Sequence, residues 1–340
     1  MKIVILRTWL TNIGNGFIDK GAKAIVRQSF PEADIFEVSG FPNKTEEKVA
    51  LGPLAGGTWR KLGDTGQKFR DHRFRTHPVR QNMVNLSEFV DADLAILPGC
   101  VLYDVGLEPY FQTLLELQAR DIPIVILGAG GGDYHRETRQ YVTEKLQQLD
   151  VCGLIARDTP TYEHYGDVVD VAHNGIDCAF FINEWHTPPE SNQQFTVAAF
   201  DKVEEPPLQT DNRTIRPDHN PFGRSKPYQG LPRNVRDRLK NRNNFKRGNV
   251  FVSDLVTDYL FLYANTETTH SDRIHACVPT LAYGNQAKFH FDTPRGALFD
   301  NVGLSDITDR TVSLDEGIEE KKEQQVQQLR DTVDVLQNMA

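Results

Sequence analysis

The chain has 340 residues, more than one hydrophobic core usually serves, so two domains are expected. Hydrophobic residues at 39% and charged residues at 25% exclude a disordered chain, and no apolar run approaches the roughly 18–20 residues of a membrane-spanning helix. A net charge of −9 excludes a general nucleic-acid binder, although basic residues gather in two segments.

In chain order, residues 2–6 read as a buried strand, Thr11 to Gly16 as a turn and 19–29 as a helix, a β-turn-α opening. The opening lacks the apolar core and small-residue cleavage site of a signal peptide, so a cytoplasmic location is expected. Residues 34–38 form a second strand candidate. About 41–82 then reads as a long insertion rich in Gly, Pro, Lys and Arg. Its basic patch runs from Arg60 to Arg80.

Periodicity returns with strand 92–98, helix 108–120 and the β-branched strand 122–128. Helix 136–149, strand 153–156, helix 159–165 and strand 168–171 follow. Such alternation predicts a parallel sheet covered on both faces. Residues 180–182 close the first domain, and the proline-bearing stretch 185–191 links it to a second that begins with strand 196–200. A basic insertion spans about 212–248, with eleven basic residues against two acidic ones between Arg213 and Arg247. Strand 250–253, helix 257–264, strand 267–271, helix 272–283 and strand 288–291 complete the second unit. Pro279 is expected to kink or break its helix. Residues 314–337 carry Ile318, Val326, Leu329, Val333 and Leu336 at helical spacing, a docked closing helix. The expected domains are therefore 1–185 and 190–310, each with its basic insertion, followed by a helix in 311–340.

Ligands of parallel sheets bind beyond the carboxyl ends of the strands. Four segments fall there: Asn12 to Gly16 with Gly14, the glycine run 128–132 with Gly130 and Gly131, Arg157-Asp158, and Ser271 to His275. The glycine run lets backbone amides approach an anion, or is a plain tight turn; it does not fit G-x-G-x-x-G. Arg273 and His275 are expected in the first turn of a helix, capped by Ser271 or Asp272. There unpaired N–H groups and the dipole favour an anion, a guanidinium grips it and an imidazole transfers protons near neutral pH. The same residues also fit an ordinary capped helix with a structural histidine. Cys100, Cys152, Cys178 and Cys277 form no CxxC pair, and Asp91-Ala92-Asp93 precedes its strand, so no metal site is expected.

The ordered set Asn12-Ile13-Gly14-Asn15, Gly128 to Gly132, Arg157-Asp158, Asp177-Cys178-Ala179-Phe180 and Ser271-Asp272-Arg273-Ile274-His275-Ala276 resembles the polysaccharide pyruvyl transferases. Asn15 stands where that family usually has Asp, with Asp19 one turn later, and Arg295 where a lysine is common. The resemblance implies two Rossmann-like domains facing a cleft, GT-B-like, with phosphoenolpyruvate as donor substrate and no other cofactor. It further implies a sugar or glycan acceptor, free or lipid-linked, Arg157 and Arg273 on the donor and His275 as general acid. The basic segments lie outside the resemblance and read as solvated loops or as acceptor-recognition parts, with membrane-surface contact left open. Two other readings remain: a GT-B glycosyltransferase using a nucleotide sugar, and a non-catalytic glycan- or anion-binding protein.

Overall fold

In the computed structural model, which describes residues 1–8, 12–39, 84–149, 152–208, 210–219 and 248–339, the chain builds two parallel sheets. The first contains β1 (Lys2–Arg7), β2 (Asp34–Ser39), β3 (Leu94–Pro98), β4 (Ile124–Ala129), β5 (Cys152–Ala156) and β6 (Val171–Asn174), in the order β2-β1-β3-β4-β5-β6. Its helices are α1 (Ile13–Ser29), α2 (Asp104–Gln118), α3 (Arg136–Leu146) and α4 (Thr159–Tyr165), after which α5 (Ile182–Trp185) leads away. The second sheet contains β7 (Phe195–Ala199), β8 (Arg213–Pro217), β9 (Val250–Phe251), β10 (Thr268–Ser271) and β11 (Gln286–Phe289), in the order β11-β10-β7-β8-β9. It carries α6 (Val256–Asn265) and α7 (Ile274–Ala282), and α8 (Gly317–Met339) ends the chain. These are two Rossmann-like units whose strand ends meet at a cleft, the GT-B-like arrangement.

Every residue of β3, β4, β5 and β7 is buried, as strands covered by helices on both faces require. One hydrophobic cluster packs α2 and α3 on one face of the first sheet. The other runs from that sheet's second face through α1 and 176–182 into the second sheet and α7. Gly21 makes this continuity possible: a Cβ there would lie 1.8 Å from the Cys178 carbonyl oxygen, so only glycine lets α1 rest on the 178–181 turn. The closing helix α8 returns to the first sheet. Leu329, Val333 and Leu336 are buried, the Ser29 hydroxyl donates to the Val326 carbonyl at 3.2 Å, and a Cβ on Gly153 would lie 2.4 Å from Thr332.

Several bounds differ from the sequence reading, with α2 starting at Asp104, α3 ending at Leu146 and β11 spanning Gln286–Phe289, and three further differences have a local cause. The helix expected from Asp19 begins at Ile13, because the Asn12 side chain accepts the Gly14 N–H at 3.2 Å and caps it there. The strand expected at 168–171 starts at Val171, since 166–168 forms a 3-10 turn. Helix α7 passes through Pro279, and its distortion sits at His275 (φ −83°, ψ 27°), four residues earlier, whose carbonyl the proline cannot bond. The insertion about 41–82 lies outside the described residues, as does the insertion about 212–248 apart from 212–219 and Gly248. Among the described residues, no helix is long and apolar enough to cross a membrane.

Cys152, Cys178 and Cys277 are buried and Cys100 is half-buried. Asp93 accepts the Lys2 N–H at 2.7 Å, at the strand edge away from the cleft.

Two measurements probe this packing. Gly21→Ala should destabilise by about 1–3 kcal/mol through overpacking, read as a lowered Tm. His290, whose Nε2 lies 3.1 Å from His270 Nδ1, is pulled down to about 4 by burial and then by His270 and Lys288. The unfolded chain binds this proton near the ordinary histidine value of about 6.5, so the stability from neutral His290 is complete above that pH. It is lost as pH falls through about 4, and His290→Gln should flatten the Tm-against-pH curve in that window.

Candidate active site

The cleft is organised by Asp177, just past the end of β6. Its Oδ1 accepts the Ala179 N–H at 2.8 Å, capping the Cys178–Phe181 turn. Its Oδ2 accepts Arg157 Nη1 at 2.8 Å and faces His275 Nε2 at 3.3 Å. Asp177 and Arg157 are 0% and 1% exposed, and His275, at 15%, is the member open to the cleft. Burial works against the Asp177 charge, but His275, Arg157 and the Ala179 N–H outweigh it and hold its carboxyl well below the usual range. Burial opposes the Arg157 charge too, and the acidic groups around it keep it cationic. An ionised carboxylate therefore ties the end of β5 to the start of α7, one from each sheet.

Glycines permit these approaches. A Cβ on Gly130 would lie 2.3 Å from Arg157 Nε, and one on Gly131 would lie 2.6 Å from the Tyr134 ring. The amides of this loop are already used: Gly130 N donates to Gly99 O at 3.3 Å and Gly131 N to Thr161 Oγ1 at 3.1 Å. The glycine run thus admits side chains against its backbone and, at these two positions, keeps its N–H groups inside the protein. Asp158 completes the support, accepting Thr161 N at 2.9 Å and Tyr134 Oη at 3.1 Å.

Gly14 plays the same part for His275, since its Cβ would lie 2.9 Å from that of the histidine. Asn12 positions it by capping α1, and Ile13 N donates to His219 O at 2.9 Å, joining α1 to the segment after β8. The His219 ring is buried beside Phe17, Tyr259 and Tyr263. Burial lowers its pKa, and the nearby Arg273 and His275 lower it further. Asn15 donates to Thr8 O at 3.4 Å, and Asp19 accepts Thr8 Oγ1 at 2.7 Å, which places both at the end of β1.

Ser271, the last residue of β10, donates its hydroxyl to Ala199 O and accepts Arg273 N at 2.8 Å. Asp272 points back into the fold, where Oδ2 accepts the N–H groups of Asp201, Lys202 and Val203 at 2.6–2.9 Å. Arg273 is the residue that precedes α7, not a member of its first turn, and its guanidinium pairs with Asp201 at the cleft edge. Arg295 reaches across from the second unit: Nε donates to Gly132 O at 3.3 Å and its guanidinium lies 5.1 Å from the Tyr103 ring centroid.

All the residues singled out from sequence, Asn12, Gly14, Gly130, Gly131, Arg157, Ser271, Arg273 and His275, fall around this one cleft. In the sequence Asp177 stands out only as the first residue of Asp177-Cys178-Ala179-Phe180, Arg295 only as a departure from a family pattern, and His219 carries no signal. Among the described residues no group of His, Cys, Asp and Glu is arranged to hold a metal.

Asp177→Asn should cost about 3–5 kcal/mol, because it leaves the buried Arg157 charge to Asp158 alone. Chemical denaturation measures it.

The model of the family described as polysaccharide pyruvyl transferase matches residues 12–285. A comparison with curated proteins found no match. Among solved structures, UDP-N-acetylglucosamine 2-epimerase from Rickettsia bellii is similar at 12% identity over 98% of this chain and 97% of that one, with a TM-score of 0.49. The ADP-heptose LPS heptosyltransferase II of E. coli is similar at 12% identity over 100% and 99%, with a TM-score of 0.37. With the family match running from the cap of α1 past the end of α7, through every segment that meets at the Asp177 carboxylate, the chain belongs to the polysaccharide pyruvyl transferase family.

Proposed function

We propose that this protein transfers the pyruvyl group of phosphoenolpyruvate to two hydroxyls of a sugar in a glycan, free or lipid-linked, forming a cyclic ketal and releasing phosphate. The observation that carries the reading is a half-buried histidine held by an ionised carboxylate, at a cleft edged by Arg273 and Arg295.

The chemistry needs an acid beside an anion site. His275 protonates the methylene carbon of the enol, and the electrons of the C=C bond form the new C–H bond, leaving an oxocarbenium-like carbon. One sugar hydroxyl adds there and passes its proton to the phosphate oxygen that is about to leave. Phosphate departs with its C–O electron pair, and the second hydroxyl closes the ring and returns a proton. With Nε2 bound to Asp177, proton transfer falls to Nδ1. Arg273 and Arg295 grip the donor's carboxylate and phosphate, and Arg157, buried behind Gly130, forms the rear wall that fixes Asp177. Asn12, Gly14 and Ser271 hold the backbone on either side of His275. No resident cofactor enters this scheme.

Calorimetric titration with phosphoenolpyruvate tests the reading. Saturable binding is expected, weakened by about 1.5–3 kcal/mol, roughly tenfold to a hundredfold, in Arg273→Ala and Arg295→Ala. His275→Gln should keep binding and lose about 10²- to 10⁴-fold in turnover. Binding of a nucleotide sugar in place of phosphoenolpyruvate would reassign the cleft to glycosyl transfer. Binding with no phosphate release for any acceptor would leave a non-catalytic anion-binding protein.

A further inference from the structure

The segment Pro294–Val302 is a 3-10 helix with two different sides. Arg295 leans from one side over Tyr103 and Gly132 into the cationic cleft. On the other side a cavity of about 270 Å³ opens between this segment and the 304–308 turn, at the end of β11. That volume lies just under the range of about 300–1,000 Å³ typical of small-molecule sites, a size for a single sugar ring.

The lining of the cavity is chemically unlike the cleft. Phe289 and Phe299 lie beneath it, each 1% exposed, and the partly buried Phe291 stands at its wall. Its polar side chains are Asp292, Thr293, Asp300, Ser305 and Thr308, and the lining contains no Lys, Arg or His. Carboxylates repel an anion but accept O–H groups, and the threonine and serine hydroxyls both donate and accept, which suits the ring of hydroxyls on a pyranose. The two regions meet at Lys202, whose Nζ lies 4.4 Å from the Phe291 ring centroid and whose backbone N–H is held by Asp272 beside Arg273.

The cavity is also preformed. Asn301, on the same helix, donates to Asn174 Oδ1 and Gly175 O at 2.8 Å and accepts Thr159 Oγ1 at 3.0 Å. The first sheet thus fixes the segment that forms the wall, so little ordering is left to be done on binding.

We propose that this cavity seats a neutral sugar ring of the acceptor, the ring next to the one that receives the pyruvyl group. The proposal rests on the pyruvyl-transfer reading of the cleft. The anionic donor lies on the cationic side of 294–302, and the uncharged part of the acceptor on its acidic, hydroxyl-bearing side.

The test uses the full chain and the methyl glycosides of glucose, galactose, mannose and N-acetylglucosamine as probes, observed by saturation-transfer NMR. At least one glycoside should bind. Its signal should vanish in Ala297→Trp, which fills the cavity, and weaken about three- to tenfold in Asp300→Asn, which alters one exposed acceptor. Phosphoenolpyruvate titrated into both variants should bind as in the parent, which also shows that they are folded. Silence from all four glycosides, or a signal indifferent to Ala297→Trp, overturns the proposal. Glycoside binding that maps to the cavity in a protein that does not bind phosphoenolpyruvate would keep the subsite and reject the pyruvyl reading.

Discussion

One buried carboxylate governs this molecule. Asp177 can be charged at 0% exposure only because Arg157, Ala179 N–H and His275 converge on it, and these groups come from different parts of the chain. Arg157 must lie flat on a glycine, so position 130 has no side chain. His275 must lie against the first turn of α1, so neither has position 14. An unpaired charge at this depth would cost several kcal/mol, so the site and the junction between the sheets stand or fall together. The same groups that hold the His275 ring also hold α7 against the 178–181 turn.

This arrangement divides charge by position. Ionised groups deep in the site neutralise one another, and the cations nearer its mouth, Arg273 and Arg295, engage Asp201 and the face of Tyr103. The second kind need not leave a buried partner to meet an anion.

Much of the fold is legible in the chain because it rests on local periodicity. The apolar runs at 2–6, 92–98 and 122–128 each form a strand, the last two starting at their third residue, and the helical spacing within 314–337 forms α8. Boundaries set by caps are harder to read. Asn12 starts α1 six residues before the first clear helical repeat, and Arg273 stays outside α7 because Ser271 and Asp272 turn inward to backbone groups of β7 and the segment after it. The residues named in advance gather at the candidate site, but Asp177, which organises it, and Arg295 and His219 were not among them, and the geometry could not be read. Asp177 and Arg157 are 20 residues apart in sequence, and His275 a further 98 from Asp177, so no local pattern links them. The glycine run shows the limit best. Composition marks a place of close approach, but only the fold reveals that the visitors at Gly130 and Gly131 are the protein's own side chains.

The return of α8 to the first sheet has a mechanical consequence. The polypeptide passes between the two units once after α5 and again between Val312, which bridges to Ala287, and the start of α8. These two connections, the hydrophobic cluster shared through α1 and α7, and the Asn301 bonds to the first sheet together resist twisting, sliding and swinging alike.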